Sequence, residues 1–192
     1  MATGAIQLHP ATAERFDDFV QVMTPKGGSG GCWCMLWRLD AKGFPAGKGD
    51  GHRDAIRRVF ESDTPPGVLG YVDGIAVGWC SVAPRGAFPR LRTSRVLKPV
   101  DDAEVWSVSC LMVVKGHRRQ GVSVALLDAA AAFVAERGGT IVEGYPVEPE
   151  VTSYPAVYAW TGTAAAFRRA GFVEVTRRSA TRPIMRRLLK DG

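Results

Sequence analysis

The chain has 192 residues, 46% of them hydrophobic and 23% charged, a balance that suits one globular domain with a sizeable core over residues 1–192. No run approaches the roughly eighteen uncharged apolar residues that a membrane span needs, and the first residues lack the apolar core of a signal peptide, so a cytoplasmic protein is expected. A net charge of +6 favours acidic ligands without choosing among them.

In chain order, Ala5 to His9 reads as a short strand, and Thr12 is placed to cap a helix carrying Phe16, Phe19, Val20 and Met23 on one face. The glycine-rich stretch from Pro25 to Gly31 is irregular, and neither it nor Gly43 to Lys48 has the spacing of a phosphate-binding loop. Cys32-Trp-Cys-Met-Leu-Trp37 follows, then a second helix capped by Asp50 that bears Ala55, Ile56, Val59 and Phe60. Gly67 to Val82 is a hairpin whose tight turn is Asp73-Gly74, residues that accept positive φ. The basic segment from Arg90 to Lys98 loops across to Glu104.

The run from Glu104 to Val114, rich in β-branched and aromatic residues, reads as a buried strand. A basic turn, Lys115 to Ser123, leads into a helix with Val122, Leu126, Ala130, Phe133 and Val134 at helical spacing, ended by Gly138 and Gly139. A strand feeding such a turn into a helix start is an anion site. First-turn N–H groups have no intrahelical partner and the helix dipole is positive there. Gly121 allows close approach, Ser123 is small, and Arg118 and Arg119 supply charge. Thr140 to Tyr145 is a fifth strand, and Pro146, Pro149 and Pro155 keep the next stretch irregular. A short helix from Thr163 to Ala170, stopped by Gly171, precedes strands at Phe172 to Thr176 and Ile184 to Leu189.

Leu111-Met-Val113, Arg118-Arg-Gln-Gly121-Val-Ser123 and Ala125-Leu-Leu127 resemble the acyl-CoA-binding segment of the GNAT superfamily of N-acyltransferases, with Ser123 in place of the usual Gly or Ala. The order β-α-α-β-β-β-α-β-α-β-β is also the superfamily's and spans nearly the whole chain. The resemblance implies an α/β fold, a mixed, mostly antiparallel central sheet flanked by helices. It also implies that Leu111, Met112, Val113, Arg118, Arg119, Gln120, Gly121, Val122 and Ser123 hold acetyl-CoA. The first two helices and their linker would wall the acceptor site, with Trp33 and Trp37 as substrate contacts. A backbone N–H near Leu111 to Val113 would stabilise the developing oxyanion.

Two departures stand out. The tyrosine that commonly protonates the leaving thiolate is Phe167 here, which has no proton to give, and the usual central-strand glutamate is Ser107. Glu104, Ser109 and Tyr158 are the catalytic candidates, with Glu143 a rival base and Tyr154 a rival acid. The expected activity is acetyl transfer to a primary amine of a small molecule, with no metal and no membrane partner. The alternatives are a protein or peptide amine as acceptor, another acyl chain, or a silent acyl-CoA sensor. Nucleic-acid binding, resting on Arg177, Arg178, Arg182, Arg186 and Arg187, ranks last; a homodimer stays open. The four cysteines, at 32, 34, 80 and 110, lack framework or metal-site spacing, so Cys32 and Cys34 are read as packing residues.

Overall fold

The structure is a computed structural model that describes residues 4–23, 27–148 and 159–189. The strands are β1 (Gln7–Pro10), β2 (Gly67–Val72), β3 (Ile75–Pro84), β4 (Trp106–Val113), β5 (Ile141–Gly144), β6 (Val173–Arg177) and β7 (Pro183–Leu188). The helices are α1 (Phe16–Met23), α2 (Gly43–Ala46), α3 (Asp50–Phe60), α4 (Pro89–Thr93), α5 (Val122–Ala135) and α6 (Ala164–Arg169). One seven-stranded sheet has the order β1-β2-β3-β4-β5-β7-β6. Every neighbouring pair is antiparallel except β4 and β5. That mixed sheet with flanking helices is the expected architecture.

Local details differ from the sequence reading. Thr12 makes no side-chain cap, because the chain first takes a 3-10 turn at Ala13–Arg15 and enters the α-helix only at Phe16. Asp50 is already inside α3, and Gly49, at φ 86°, stands at its cap. Part of the basic loop is helical, since Pro89 at the first turn presets φ for α4. Thr163 does cap α6, its side chain accepting from the Ala166 N–H. Asp73 and Gly74 both have positive φ, as the hairpin turn requires.

One face of the sheet is covered by α5 and α6. Leu126, Leu127, Ala130, Phe133 and Val134 of α5 pack there with Val82, Val108, Val142, Phe167 and Met185. The approach is close: a Cβ on Gly78 of β3 would lie 2.8 Å from the Leu126 side chain and 3.0 Å from that of Val122, so a larger residue would make both shift. The opposite face carries two apolar clusters. One is aromatic, with Phe19 centred 4.9 Å from Phe60 and 5.0 Å from Trp79. The other gathers Phe88, Leu91, Leu97, Tyr145 and Ile184.

The register of β3 against β4 breaks at one residue. Cys110 pairs with Ser81 and Val108 with Val82, leaving Ser109 as an extra residue in a β-bulge. The bulge turns Ser109 and Cys110 toward the same face, and Leu111 then returns to the α5 side. Beyond it β4 loses its parallel partner: pairing with β5 covers only Trp106, Ser107 and Val108, while β4 continues to Val113. The C-terminal half of the central strand is therefore splayed from β5.

Candidate active site

The bend that joins β4 to α5 sits at the open end of that splay. Gly121 occupies the N-cap of α5 in the left-handed region, at φ 85° and ψ −10°. Its carbonyl accepts from the Val124 and Ala125 N–H groups, which leaves those of Val122 and Ser123 ahead of the first closed turn. Nothing lies within 4 Å of where a Cβ on Gly121 would stand, so the space before the helix is open. Arg118 Nε donates to Val113 O at 2.9 Å, which folds the turn back on the strand and leaves the guanidinium's other donors outward. Gln120 braces the turn through Gly116 O at 3.0 Å, and Arg119 is held at φ 63°. Backbone donors, a helix dipole and exposed arginines thus meet at one place. Such an end is suited to an anion such as a phosphate.

Within the splay, the Leu111 N–H faces away from β3 and donates to the Trp160 carbonyl at 2.7 Å. Trp160 precedes α6, and its ring lies 6.1 Å from that of Trp37. Phe167 is fully buried under the same opening, packed edge-on against Phe172 at 4.9 Å.

The other face of the bulge is polar. Ser109 is 1% exposed and donates to Ser81 Oγ at 3.0 Å. Tyr145 donates to Glu143 Oε1 at 2.6 Å, so the 2.8 Å contact with Ser107 has the serine as donor. Burial and the adjoining carboxylate push the Tyr145 phenol well above its ordinary value. Glu143, with no exposed surface, is ion-paired to Arg85 through one oxygen and to Arg186 Nε through the other at 2.8 Å. Arg186 in turn binds both oxygens of Asp101, at 2.7 and 2.8 Å.

These positions revise several sequence assignments. Glu143 is held between arginines with both oxygens engaged, so it is a structural anion and no free base. Glu104 lies before β4, beside a cleft of about 450 Å³ lined also by Arg85, Trp106, Arg137 and Thr140. Seven residues of extended chain place it about 20 Å from the Leu111 N–H, too far for proton transfer there. Ser109 is closed in beneath the site and hydrogen-bonded to a second serine. Trp33 is 5% exposed and packs in the core, its ring 6.1 Å from Phe19, because a left-handed backbone at Trp33 and Cys34 turns it inward. Trp37 keeps exposed surface. Tyr154 and Tyr158 lie outside the described residues.

Cys34, Cys80 and Cys110 are buried and Cys32 is half-buried. Cys34 Sγ lies 3.1 Å from Cys110 Sγ on the bulge and accepts from Trp79 Nε1 at 3.2 Å. The Cys110 thiol, the Trp79 N–H and the Arg38 charge hold the Cys34 thiol below its ordinary value, whereas burial pushes Cys32 up to about 12. Among the described residues no three His, Cys, Asp or Glu side chains gather at one place, and no helix is long and apolar enough to cross a membrane.

The sequence profile of the Acetyltransferase (GNAT) family matches residues 33–153, which contain the bulge, the splay and the α5 N-terminus. The chain belongs to the GNAT family. No curated protein sequence matches it. Solved structures support the same fold. The GNAT domain of S. lividans PAT is 17% identical, with 97% of this chain and 92% of that one covered at a TM-score of 0.55. Aminoglycoside N-acetyltransferase AAC(6')-Iy, in complex with coenzyme A, is 14% identical over 93% and 95% at 0.56. PaiA N-acetyltransferase from Thermoplasma acidophilum, also with coenzyme A, is 9% identical over 96% and 99% at 0.53. The chain thus has the fold on which the latter two proteins bind coenzyme A.

Proposed function

We propose that this protein transfers the acetyl group of acetyl-CoA to a primary amine of a small molecule. The observation that carries the reading is the splay of β4 from β5, opening onto the Gly121-capped start of α5. The diphosphate would take the Val122 and Ser123 N–H groups and the outward guanidinium donors of Arg118 and Arg119. The donor would run along β4, and its thioester carbonyl would accept from the Leu111 N–H. That contact stabilises the oxyanion as the amine attacks. The Trp160 carbonyl must leave the same N–H first.

Among the described residues, Glu104 stands apart from the splay and Glu143 is engaged by two arginines. In this reading the amine therefore enters as its free base, the lone-pair form of a group that titrates near 10. Phe167 offers no proton, and Tyr158 is the candidate donor to the departing thiolate. The test is thiol release from acetyl-CoA across an amine library. Release that requires an amine supports the reading, and tight acetyl-CoA binding with no release from any amine contradicts it. The second outcome would favour an acyl-CoA sensor, a reading drawn from the locked Ser107 and buried Phe167.

A further inference from the structure

The acceptor side of the bulge contains an unanswered cation. Arg38 follows Trp37 in the linker between α1 and α3 and enters the seam between the two apolar clusters. Its guanidinium lies over the Phe88 ring, 4.7 Å from the centroid, and its charge acts on Cys34. Cys34 touches Cys110, and Leu111 is the next residue of the strand. Arg38 is thus linked through Cys34 and Cys110 to the strand residue before Leu111, on the face opposite α5.

No carboxylate among the described residues pairs with it. Its Nε and Nη2 are closed off from solvent, and neither has a hydrogen-bond acceptor. Those atoms carry the two parallel N–H bonds of the guanidinium's side edge, the fork that a planar carboxylate accepts with both oxygens. The neighbouring Trp37 Nε1 is likewise buried without an acceptor. Desolvation lowers the Arg38 pKa to about 10, so the group is still charged at neutral pH. A buried charge with two unanswered donors is costly unless a ligand answers it.

We propose that the acceptor is an amino acid, with Arg38 binding its free carboxylate through Nε and Nη2 while its amine faces the thioester. This rests on the acetyltransferase reading and names its substrate class. The Phe88 ring covers the face of the guanidinium and leaves its edge for a carboxylate, and the short span between amine and carboxylate suits a site that reaches Leu111 by way of Cys34 and Cys110.

The experiment compares each of the twenty amino acids with its own carboxamide, using acetyl-CoA and wild-type, Arg38→Gln and Arg38→Lys proteins. For the preferred amino acid, the acid-to-amide ratio of kcat/KM should be about 10- to 150-fold higher in the wild type than in Arg38→Gln, the range of a charge-assisted hydrogen bond. Amide turnover should persist in Arg38→Gln. Comparing ratios between proteins cancels the difference in amine basicity. Arg38→Lys, which keeps the charge and loses the fork, should give an intermediate ratio and serves if the glutamine variant does not fold. An unchanged ratio in the variants overturns the proposal and leaves the acetyltransferase reading intact. If acetyl-CoA binds and no amine is acetylated, that reading falls instead. The Arg38 site is then read from thermal shifts with N-acetyl amino acids. Stabilisation by the acids alone, lost in Arg38→Lys, supports it, and equal shifts from acids and amides overturn it.

Discussion

Glu143 sits at the junction of stability and chemistry, and its replacement separates the two. Glu143→Gln keeps the side chain's shape but removes the charge that Arg85 and Arg186 share, and one of its oxygens becomes a donor facing a guanidinium. Glu143 has no exposed surface, so solvent cannot take over the lost role. Breaking a buried ion pair by removing one partner costs about 3–5 kcal/mol. For a chain of 192 residues the unfolding entropy is about 0.4 kcal/mol per degree, which converts that cost into a fall in Tm of about 7–12 °C. Scanning calorimetry of both proteins at pH 7 reads the shift directly. Acetyl transfer measured well below the variant's Tm should change by less than tenfold, because Glu143 contacts neither amine nor thioester in this account. A Tm within 2 °C of wild type together with loss of turnover would refute the reasoning and return Glu143 to the role of base.

Other expectations follow from the same geometry. Arg168 and Arg177 hold the Glu148 carboxyl down at about 2. Its contribution is therefore full above the ordinary carboxylate range and is lost as pH falls through that value. Glu148→Gln should flatten the drop in urea midpoint between pH 6 and pH 3, and an unchanged drop would remove Glu148 from acid stability. Because the amine enters as its free base, log kcat/KM should rise with unit slope up to the pKa of the chosen amine. A plateau two units below that pKa would reveal a base on the protein. Acetyl-CoA binding must break the 2.7 Å bond from the Leu111 N–H to Trp160 O, so the Trp37–Trp160 pair should report it as a fluorescence change absent in Trp160→Phe. Tyr158→Phe should slow single-turnover transfer by about ten- to ten-thousandfold if Tyr158 protonates the thiolate, and an equal rate would remove it from the mechanism.

The succession of elements was legible because each leaves a local mark. Alternation and β-branching mark β4, helical spacing marks α5, and Asp73-Gly74 marks the hairpin turn. The anion end of α5 was legible for the same reason, since Gly121 and its neighbours are contiguous. What sequence could not display depends on contacts between distant segments. The run Ser107-Val-Ser109 looks like regular alternation, so the bulge that turns Ser109 and Cys110 to one face is set by the β3 register and leaves no trace in the strand. Glu143 read as a free carboxylate because Arg85, Arg186 and Asp101 reach it from three other places in the chain. Trp33 and Trp37 read alike from their spacing, and the positive φ at Trp33 and Cys34 accompanies the difference between a core residue and a half-buried one. Arg38 was passed over for the same reason. A basic residue after a tryptophan carries no signal until its missing acceptor is seen.

The account turns on acetyl-CoA lying across the start of α5. Isothermal calorimetry of acetyl-CoA with wild-type and Gly121→Asp proteins tests that placement most directly. At φ 85° an aspartate is strained, and its carboxylate would stand in the open space before the Val122 and Ser123 N–H groups. Binding to the wild type is expected, with affinity reduced at least tenfold in a folded Gly121→Asp protein. Equal affinity in the two would contradict the placement of the donor.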